Sequence, residues 1–209
     1  MADLVSYVDA AIQMALAGYP EYLPPVLGYS SSKVRRLLNW LCKMNDNNTH
    51  YLEIGTHRGS TFIPALYKNY YAKGTCIDNF SLWCDPITYM DLRKNIETWL
   101  PDKMVNVINK DCFTVDVSTI RPVNVYFYDG DHSLDSQIKA FTYFNSCFTN
   151  TFVAVVDDAN YSAEVMVGTA RAWQQLGYNV LKRWDLPGDY DGSEAGWWNG
   201  IILAVISKV

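Results

Sequence analysis

Basic residues are in deficit. Seventeen Lys and Arg stand against 22 Asp and Glu, for a net charge of −5, and no basic tract occurs anywhere in the chain. A polyanion such as nucleic acid is therefore a poor partner. Histidine is scarce too: His50, His57 and His132 have no metal-site spacing, which argues against zinc. The five cysteines (Cys42, Cys76, Cys84, Cys112, Cys147) form no CxxC and are odd in number. They read as free, buried thiols in a reducing compartment, not as a disulfide frame or a zinc knuckle. No apolar run approaches the ~18 residues of a membrane span. The opening "MADLVSYVDAAIQMALAGYP" lacks a basic n-region and carries Asp3 and Asp9, so it reads as an amphipathic helix and not as a signal peptide. Internal repeats, low-complexity tracts and interdomain linkers are absent as well. The expectation is a soluble cytoplasmic protein with no nucleic-acid and no membrane partner.

What is present is an ordinary globular balance, 49% hydrophobic and 19% charged over 209 residues. That suffices for one domain with a sizeable core. Fifteen tyrosines and seven tryptophans suit core packing or a substrate pocket equally. Residues 3–17 and 31–44 carry helical periodicity, the second opening on serines that can cap it. The proline-rich, aromatic stretch "GYPEYLPPVLGYS" between them is a loop that could fold over a site. From residue 50 short apolar runs alternate with helical segments. "HYLEIG", "KGTCIDNF", "MVNVINKDC", "VNVYFYDGD" and "TFVAVVDD" are strand candidates. Helices are expected over "STFIPALYKNY", 86–99, 133–147 and 162–175, and "YNVLKRW" and "NGIILAVISKV" are two final strands with no helix between them. The pattern predicts an α/β fold: a doubly wound, mostly parallel seven-stranded Rossmann-like sheet with a C-terminal antiparallel hairpin and two extra N-terminal helices.

In such a sheet, ligands bind beyond the carboxyl ends of the strands. Every predicted strand end here is acidic: Glu53 before Gly55, then Asp78, then Asp111, then Asp129, Asp131 and His132, then Asp157, Asp158 and Asn160. Aspartate is a common turn and cap residue, so any single one has a plain structural reading; five on one edge point to a site. The first turn, "EIGTHRGS", is not the dinucleotide GxGxxG, because His57 occupies the middle glycine position. A pyrophosphate packed on that backbone would meet its side chain. Asp78 stands where an acid accepts ribose hydroxyls, so a nucleoside without phosphates is the inference.

With these residues in place, the chain resembles the class I S-adenosylmethionine-dependent methyltransferases. Glu53-x-Gly55-x-x-x-Gly59, Asp78, Asp111 and the seven-strand pattern carry the likeness over residues 50–209. The finer resemblance is to the macrocin and novobiocin sugar O-methyltransferase group, through "DGDH" at 129–132 and "DD" at 157–158; catechol O-methyltransferase is a more distant relative. The resemblance implies a methyltransferase domain over 50–209 and a helical extension or lid over 1–49. It implies that Glu53, Gly55, Thr56, Gly59 and Ser60 hold the methionine part of S-adenosylmethionine, that Asp78 and Asn79 bind the ribose, and that Asp111 and Cys112 border the adenine, with Asp129 also on the cofactor. It further implies Mg²⁺ on Asp129, Asp157 and Asp158, and Asp131 as general base. The catechol enzyme has Asn directly after its Asp, which weakens Asn160 as a ligand here.

The chemistry of the residues is compatible. Three carboxylates suit a hard cation, which would relieve their repulsion, grip a substrate hydroxyl and lower its pKa. Asp131 or His132 could take the proton, although His132 has the simpler role of orienting the helix that starts near Ser133. Asp157 and Asp158 can share one ion only if their strand has already ended. "NFSLWCDPITYM" and "WDLPGDYDGSEAGWWNG" carry rings that suit a sugar or aromatic acceptor. The expected function is metal-assisted O-methylation of a small hydroxylated molecule (a sugar, glycoside or phenolic). The alternatives are a nicotinamide-dependent oxidoreductase and a non-catalytic cofactor-binding domain. The two N-terminal helices are placed to serve as a lid or as a contact between copies in a homo-oligomer.

Overall fold

The computed structural model describes residues 4–43, 48–81, 87–188 and 195–208. Its strands are β1 (His50–Ile54), β2 (Lys73–Asp78), β3 (Val105–Asn109), β4 (Val123–Tyr128), β5 (Phe148–Val156), β6 (Asn179–Leu186) and β7 (Ile201–Ser207), in the order β3-β2-β1-β4-β5-β7-β6. Strands β1 to β5 pair in parallel, and β7 lies antiparallel between β5 and β6. This is the predicted sheet with its terminal hairpin. The helices are α1 (Leu4–Leu16), α2 (Ser32–Lys43), α3 (Phe62–Leu66), α4 (Ile87–Trp99), α5 (Leu134–Thr142) and α6 (Ala163–Gln175). None of the described helices is long and apolar enough to cross a membrane.

Alternation along each strand divides the core into two layers. Tyr51, Val125, Phe127, Val155 and Leu203 face one side, where Val8 and Ile12 of α1, Leu37 and Leu41 of α2 and Phe62 of α3 cover them. Leu52, Tyr126, Tyr128, Val156 and Ile202 face the other, under Phe141 of α5 and Trp173 of α6. Each such side chain contributes roughly 1.5–3 kcal/mol on burial. The predicted serine cap is present: Ser31 Oγ accepts from Val34 N at 3.2 Å at the start of α2. Helix α1 is tied to the far end of the chain, because both Asp9 oxygens accept from Lys182 Nζ at 2.8 Å and Oδ1 accepts from Trp184 Nε1 at 2.8 Å. Cys42, Cys76 and Cys147 are buried, Cys112 is half-buried, and all four are free; Cys84 lies outside the described residues.

Several boundaries differ from expectation. The helix predicted over "STFIPALYKNY" is only the five residues of α3; it stops at Tyr67, which is extended, and Lys68 turns left-handed at φ 58. The segment 133–147 divides into α5 and a 3-10 turn at Asn145–Cys147. Strand β5 starts earlier than "TFVAVVDD" and ends at Val156, so both aspartates lie beyond it. Glu53 is not a strand end. It sits inside β1, two residues from Tyr51 and on the same face, wholly buried. Tyr51 Oη donates to its Oε2 at 2.5 Å and Thr61 Oγ1 to its Oε1 at 2.9 Å.

Two predictions follow from β1. Gly55 follows this strand at φ 85, and a Cβ there would lie 1.8 Å from the Asp129 carbonyl oxygen. Gly55→Ala should lower the unfolding free energy by about 3 kcal/mol or more, from left-handed strain plus overpacking. Gly18→Ala, also at positive φ but with nothing within 4 Å, should cost only ~1–2 kcal/mol. Urea denaturation of both variants compares them directly. Burial pushes the Glu53 carboxyl up to about 8, against the hydrogen bonds from Tyr51 and Thr61. Between the unfolded value of roughly 4.3 and that folded value, the native state binds a proton that the unfolded chain releases, so this group's stability falls as pH rises. From pH 5.5 to 8.5, the urea-derived stability of Glu53→Gln relative to wild type should move in the variant's favour by at least about 1 kcal/mol; an unchanged difference would contradict a protonated Glu53.

Candidate active site

The sheet order reverses between β1 and β4, and the carboxyl ends of the strands open there onto a cleft of about 1020 Å³. A crevice outside the strand ends at such a switch point is the ligand position of open α/β sheets. The β1–β3 half of the cleft presents Gly55, Thr56, His57, Ser60, Asp78, Asn79, Asp111 and Cys112. The other half presents Asp129, Asp131, His132, Asp158 and Asn199, with Tyr161 beside them and Tyr29 reaching in from the N-terminal loop.

In the first half, Asp78 organises the turn. Its Oδ2 accepts from His57 N at 2.7 Å and its Oδ1 from Phe80 N at 2.7 Å. One bond per oxygen leaves further lone pairs for a ligand. His57 adopts φ 49, and its ring packs against Tyr29, centroids 5.7 Å apart. Gly28 rests on Ser60, whose Oγ would lie 2.3 Å from an added Cβ. The loop before α2 thus lies across the glycine turn, where the sequence left room for a cover. Asp111 is exposed and caps a short turn by accepting from Phe113 N at 2.8 Å. Burial pushes the Cys112 thiol up to about 12, so it is a neutral wall rather than a nucleophile.

The second half is electrostatically uneven. Asp129 is half-buried just past β4; burial, then the charges of Asp157 and Asp158, raise its carboxyl well above the usual range. Asp157 is 2% exposed, and its Oδ1 accepts from Asp158 N at 2.9 Å; burial and the Asp158 charge raise it as well. Asp158 takes φ 58. Its Oδ2 meets His132 Nε2 at 2.7 Å and its Oδ1 accepts from Asn199 Nδ2 at 2.8 Å. Burial alone would raise Asp158, but these two hydrogen bonds outweigh it and hold the carboxyl low. Burial alone would lower His132, and the hydrogen bond and charge of Asp158 reverse that, so the imidazole is raised. Its Nδ1 is buried without a hydrogen-bond partner. Asp131 is exposed; Ser133 Oγ donates to its Oδ2 at 2.5 Å, and hydrogen bonds from Ser133 and Ser136 hold it low.

Of the residues predicted for the cofactor, Gly55, Thr56, Ser60, Asp78, Asn79, Asp111, Cys112 and Asp129 line the cleft. Glu53 and Gly59 do not. Glu53 is turned into the core, and a Cβ on Gly59 would meet Ile63 at 2.8 Å and Leu92 at 2.9 Å, so Gly59 serves packing. Of the predicted metal ligands, Asp129 and Asp158 converge and Asp157 lies below the cleft lining. His132 joins the two instead: one ligand atom from each of Asp129, His132 and Asp158 lies within 4.8 Å of the others. Asn160 is structural, since its Oδ1 accepts from Gly188 N at 2.9 Å and its N donates to Asn199 O at 2.8 Å. Sequence reasoning singled out the loop that carries Asn199 as a pocket segment but not Asn199 itself, and it missed Tyr161, an ordinary residue of a helix approach. The acceptor-pocket readings of "NFSLWCDPITYM" and "WDLPGDYDGSEAGWWNG" fall in part on 82–86 and 189–194, outside the described residues.

No protein-family model matches the sequence, and no curated protein is significantly similar to it. Solved structures are. An O-methyltransferase from Bacillus cereus in complex with S-adenosylhomocysteine superposes with a TM-score of 0.62 at 16% identity, covering 99% of this chain and 93% of that one. TomG of Streptomyces achromogenes, an O-methyltransferase involved in tomaymycin synthesis and bound to S-adenosylmethionine, gives 0.61 at 18% identity, covering 94% and 89%. The S-adenosylhomocysteine-bound methyltransferase PaMTH1 of Podospora anserina gives 0.60 at 9% identity, covering 97% and 88%. These similarities establish the fold: the chain is built on the Rossmann-like sheet of the class I methyltransferases.

Proposed function

We propose that the chain is an S-adenosylmethionine-dependent O-methyltransferase acting on a hydroxyl of a small molecule. The observation that carries this reading is the single cleft at the switch point. Its two halves differ in chemistry, a glycine turn with Asp78 on one side and Asp129, His132 and Asp158 on the other. The volume, about 1020 Å³, is at the upper end of small-molecule pockets and leaves space for a nucleoside cofactor and an acceptor together. The Bacillus cereus and Streptomyces relatives in fold are O-methyltransferases with this cofactor or its product bound, which supports the same cofactor here.

In this reading the backbone of Gly55 to His57 underlies the amino-acid end of the cofactor, with Tyr29 and His57 closing over it. Asp78 accepts the ribose hydroxyls with its remaining lone pairs. Asp111, Cys112 and Phe113 border the base. Bound S-adenosylmethionine supplies an electrophilic methyl on a sulfonium. Transfer is a displacement at carbon, so holding the acceptor oxygen in line is the main task of the protein.

The residues fit a divalent ion, held by Asp129, His132 and Asp158, which would polarise an acceptor hydroxyl and lower its pKa. With that help a weak base suffices. Asp131 is one, an anion at the open rim of the cleft. His132 suits the base role poorly, because Nε2 is engaged by Asp158 and Nδ1 is buried. Its place is among the holders of the ion.

Isothermal titration with S-adenosylhomocysteine tests the reading. Saturable binding is expected, and Asp78→Ala should weaken it about 10- to 100-fold, the value of hydrogen bonds to a charged group. Absence of binding at millimolar ligand would remove the proposal.

A further inference from the structure

The family resemblance implies an all-carboxylate seat for Mg²⁺ on Asp129, Asp157 and Asp158, and the fold assembles a different set. Strand β5 ends at Val156, so the direction of each aspartate is set by the turn that follows and not by strand alternation. In that turn Asp157 is 2% exposed, accepts the Asp158 N–H on its Oδ1, and is absent from the cleft wall. The third position is taken by His132. Its Nε2 stands 2.7 Å from Asp158 Oδ2, close to the ~3 Å that separates neighbouring ligands about one ion with bonds near 2.1 Å. The whole set lies within 4.8 Å, so small side-chain movements bring its atoms to the ~4.2 Å span of opposite ligands on such an ion. Asn199 lies outside the set and donates to Asp158 Oδ1. It thereby leaves Oδ2 for the shared centre, as outer hydrogen bonds do in metal sites.

Resting on the reading that an ion sits here at all, we propose that His132 Nε2 is its nitrogen ligand. One imidazole and two carboxylates then select a late first-row divalent ion of the Co²⁺ to Zn²⁺ class over Mg²⁺. The warrant is ligand chemistry. Mg²⁺ sheds water reluctantly and takes oxygen donors, whereas imidazole favours the later metals, whose affinity for mixed nitrogen and oxygen sites rises along the row. Sequence spacing pointed away from zinc because His50 and His57 stand far from His132 in the chain. One histidine with two carboxylates is nevertheless a sufficient set, and the fold supplies it from the ends of β4 and β5.

The test uses the chelator-stripped full chain. Co²⁺ is titrated while its visible absorption is followed, and Mg²⁺ and Zn²⁺ are added as competitors. One saturable Co²⁺ equivalent is expected, displaced by micromolar-range Zn²⁺ (about −8 kcal/mol at 1 μM) and unaffected by millimolar Mg²⁺. His132→Gln, which keeps a polar group facing Asp158, should weaken Co²⁺ at least about 10-fold, the lower bound for disturbing even an outer-sphere partner. Asp157→Asn should leave it unchanged. Far-ultraviolet circular dichroism and S-adenosylhomocysteine titration of each variant show that it is folded and cofactor-competent. Wild-type Co²⁺ affinity in His132→Gln, loss of binding in Asp157→Asn alone, or Mg²⁺ displacing Co²⁺ would each overturn the proposal. Cofactor binding without any metal binding overturns this inference and leaves a metal-free methyltransferase, whereas failure of both removes the functional reading itself.

Discussion

Everything in the cleft depends on one close approach, the Asp129 carbonyl lying where a side chain on Gly55 would be. Asp129 N donates to Ile54 O and Gly55 N donates to Ile77 O, each at 2.9 Å. The ends of β2, β1 and β4 are thereby stitched together past the last regular pair. A Cβ at that position would push the glycine turn and the acidic edge apart. The glycine therefore serves the protein's own backbone before it serves any ligand. Gly130 repeats the device one residue past Asp129, since its Cα lies on the Tyr128 ring, 2.9 Å from an added Cβ.

The second constraint is charge. Glu53, Asp129, Asp157 and Asp158 gather within one electrostatic neighbourhood, in which the charges of the other three all raise Asp129, Asp157 raises Glu53, and Asp158 raises Asp157. The fold answers in three ways. Glu53 is sealed in the core beside hydroxyls, where burial pushes its carboxyl up to about 8. Asp158 remains anionic on the strength of His132 and Asn199. Asp129, between them and facing the cleft, has neither solution to itself, and so carries the tension that a cation would relieve. A cluster whose carboxyls are held back from ionising by one another is prepared for a positively charged occupant, and the sulfonium of the proposed cofactor carries the same sign as the ion.

Strand order and the hairpin were legible because buried parallel strands read as continuous apolar runs and their ends are abrupt: "VYFYDGD" needs no neighbour to be recognised. Asp78 was legible from position alone. What escaped depended on a change of direction lasting a single residue. Whether Asp157 or Asp158 faces the cleft is decided by φ 58 at Asp158, and sequence patterns carry no phase beyond the end of a strand. Glu53 was read as an edge residue because it is the only acid near the end of "HYLEIG"; one place before the end of β1, it follows Tyr51 in period two and turns inward. The loop of Asn199 was legible as a pocket segment but its bond to Asp158 was not, because that partner lies 41 residues away in sequence and the contact comes from the hairpin docking on β5 rather than from any local motif.

The clasp of Asp9 on Lys182 and Trp184 bridges 173 and 175 residues of chain. Few contacts in a protein of this length are less local, and non-local contacts form only after the intervening chain has been ordered. Helix α1 precedes β6 in the chain, so this clasp closes only after β6 has been made and paired. The apolar residues Val8, Ala11, Ile12 and Ala15 share a core cluster with Leu37 and Leu41 of α2, the next helix in the chain, so it is the polar clasp that waits for β6. The Tyr29 wall of the cleft hangs from the segment between α1 and α2, so the clasp that fastens α1 to β6 also anchors one wall of the pocket.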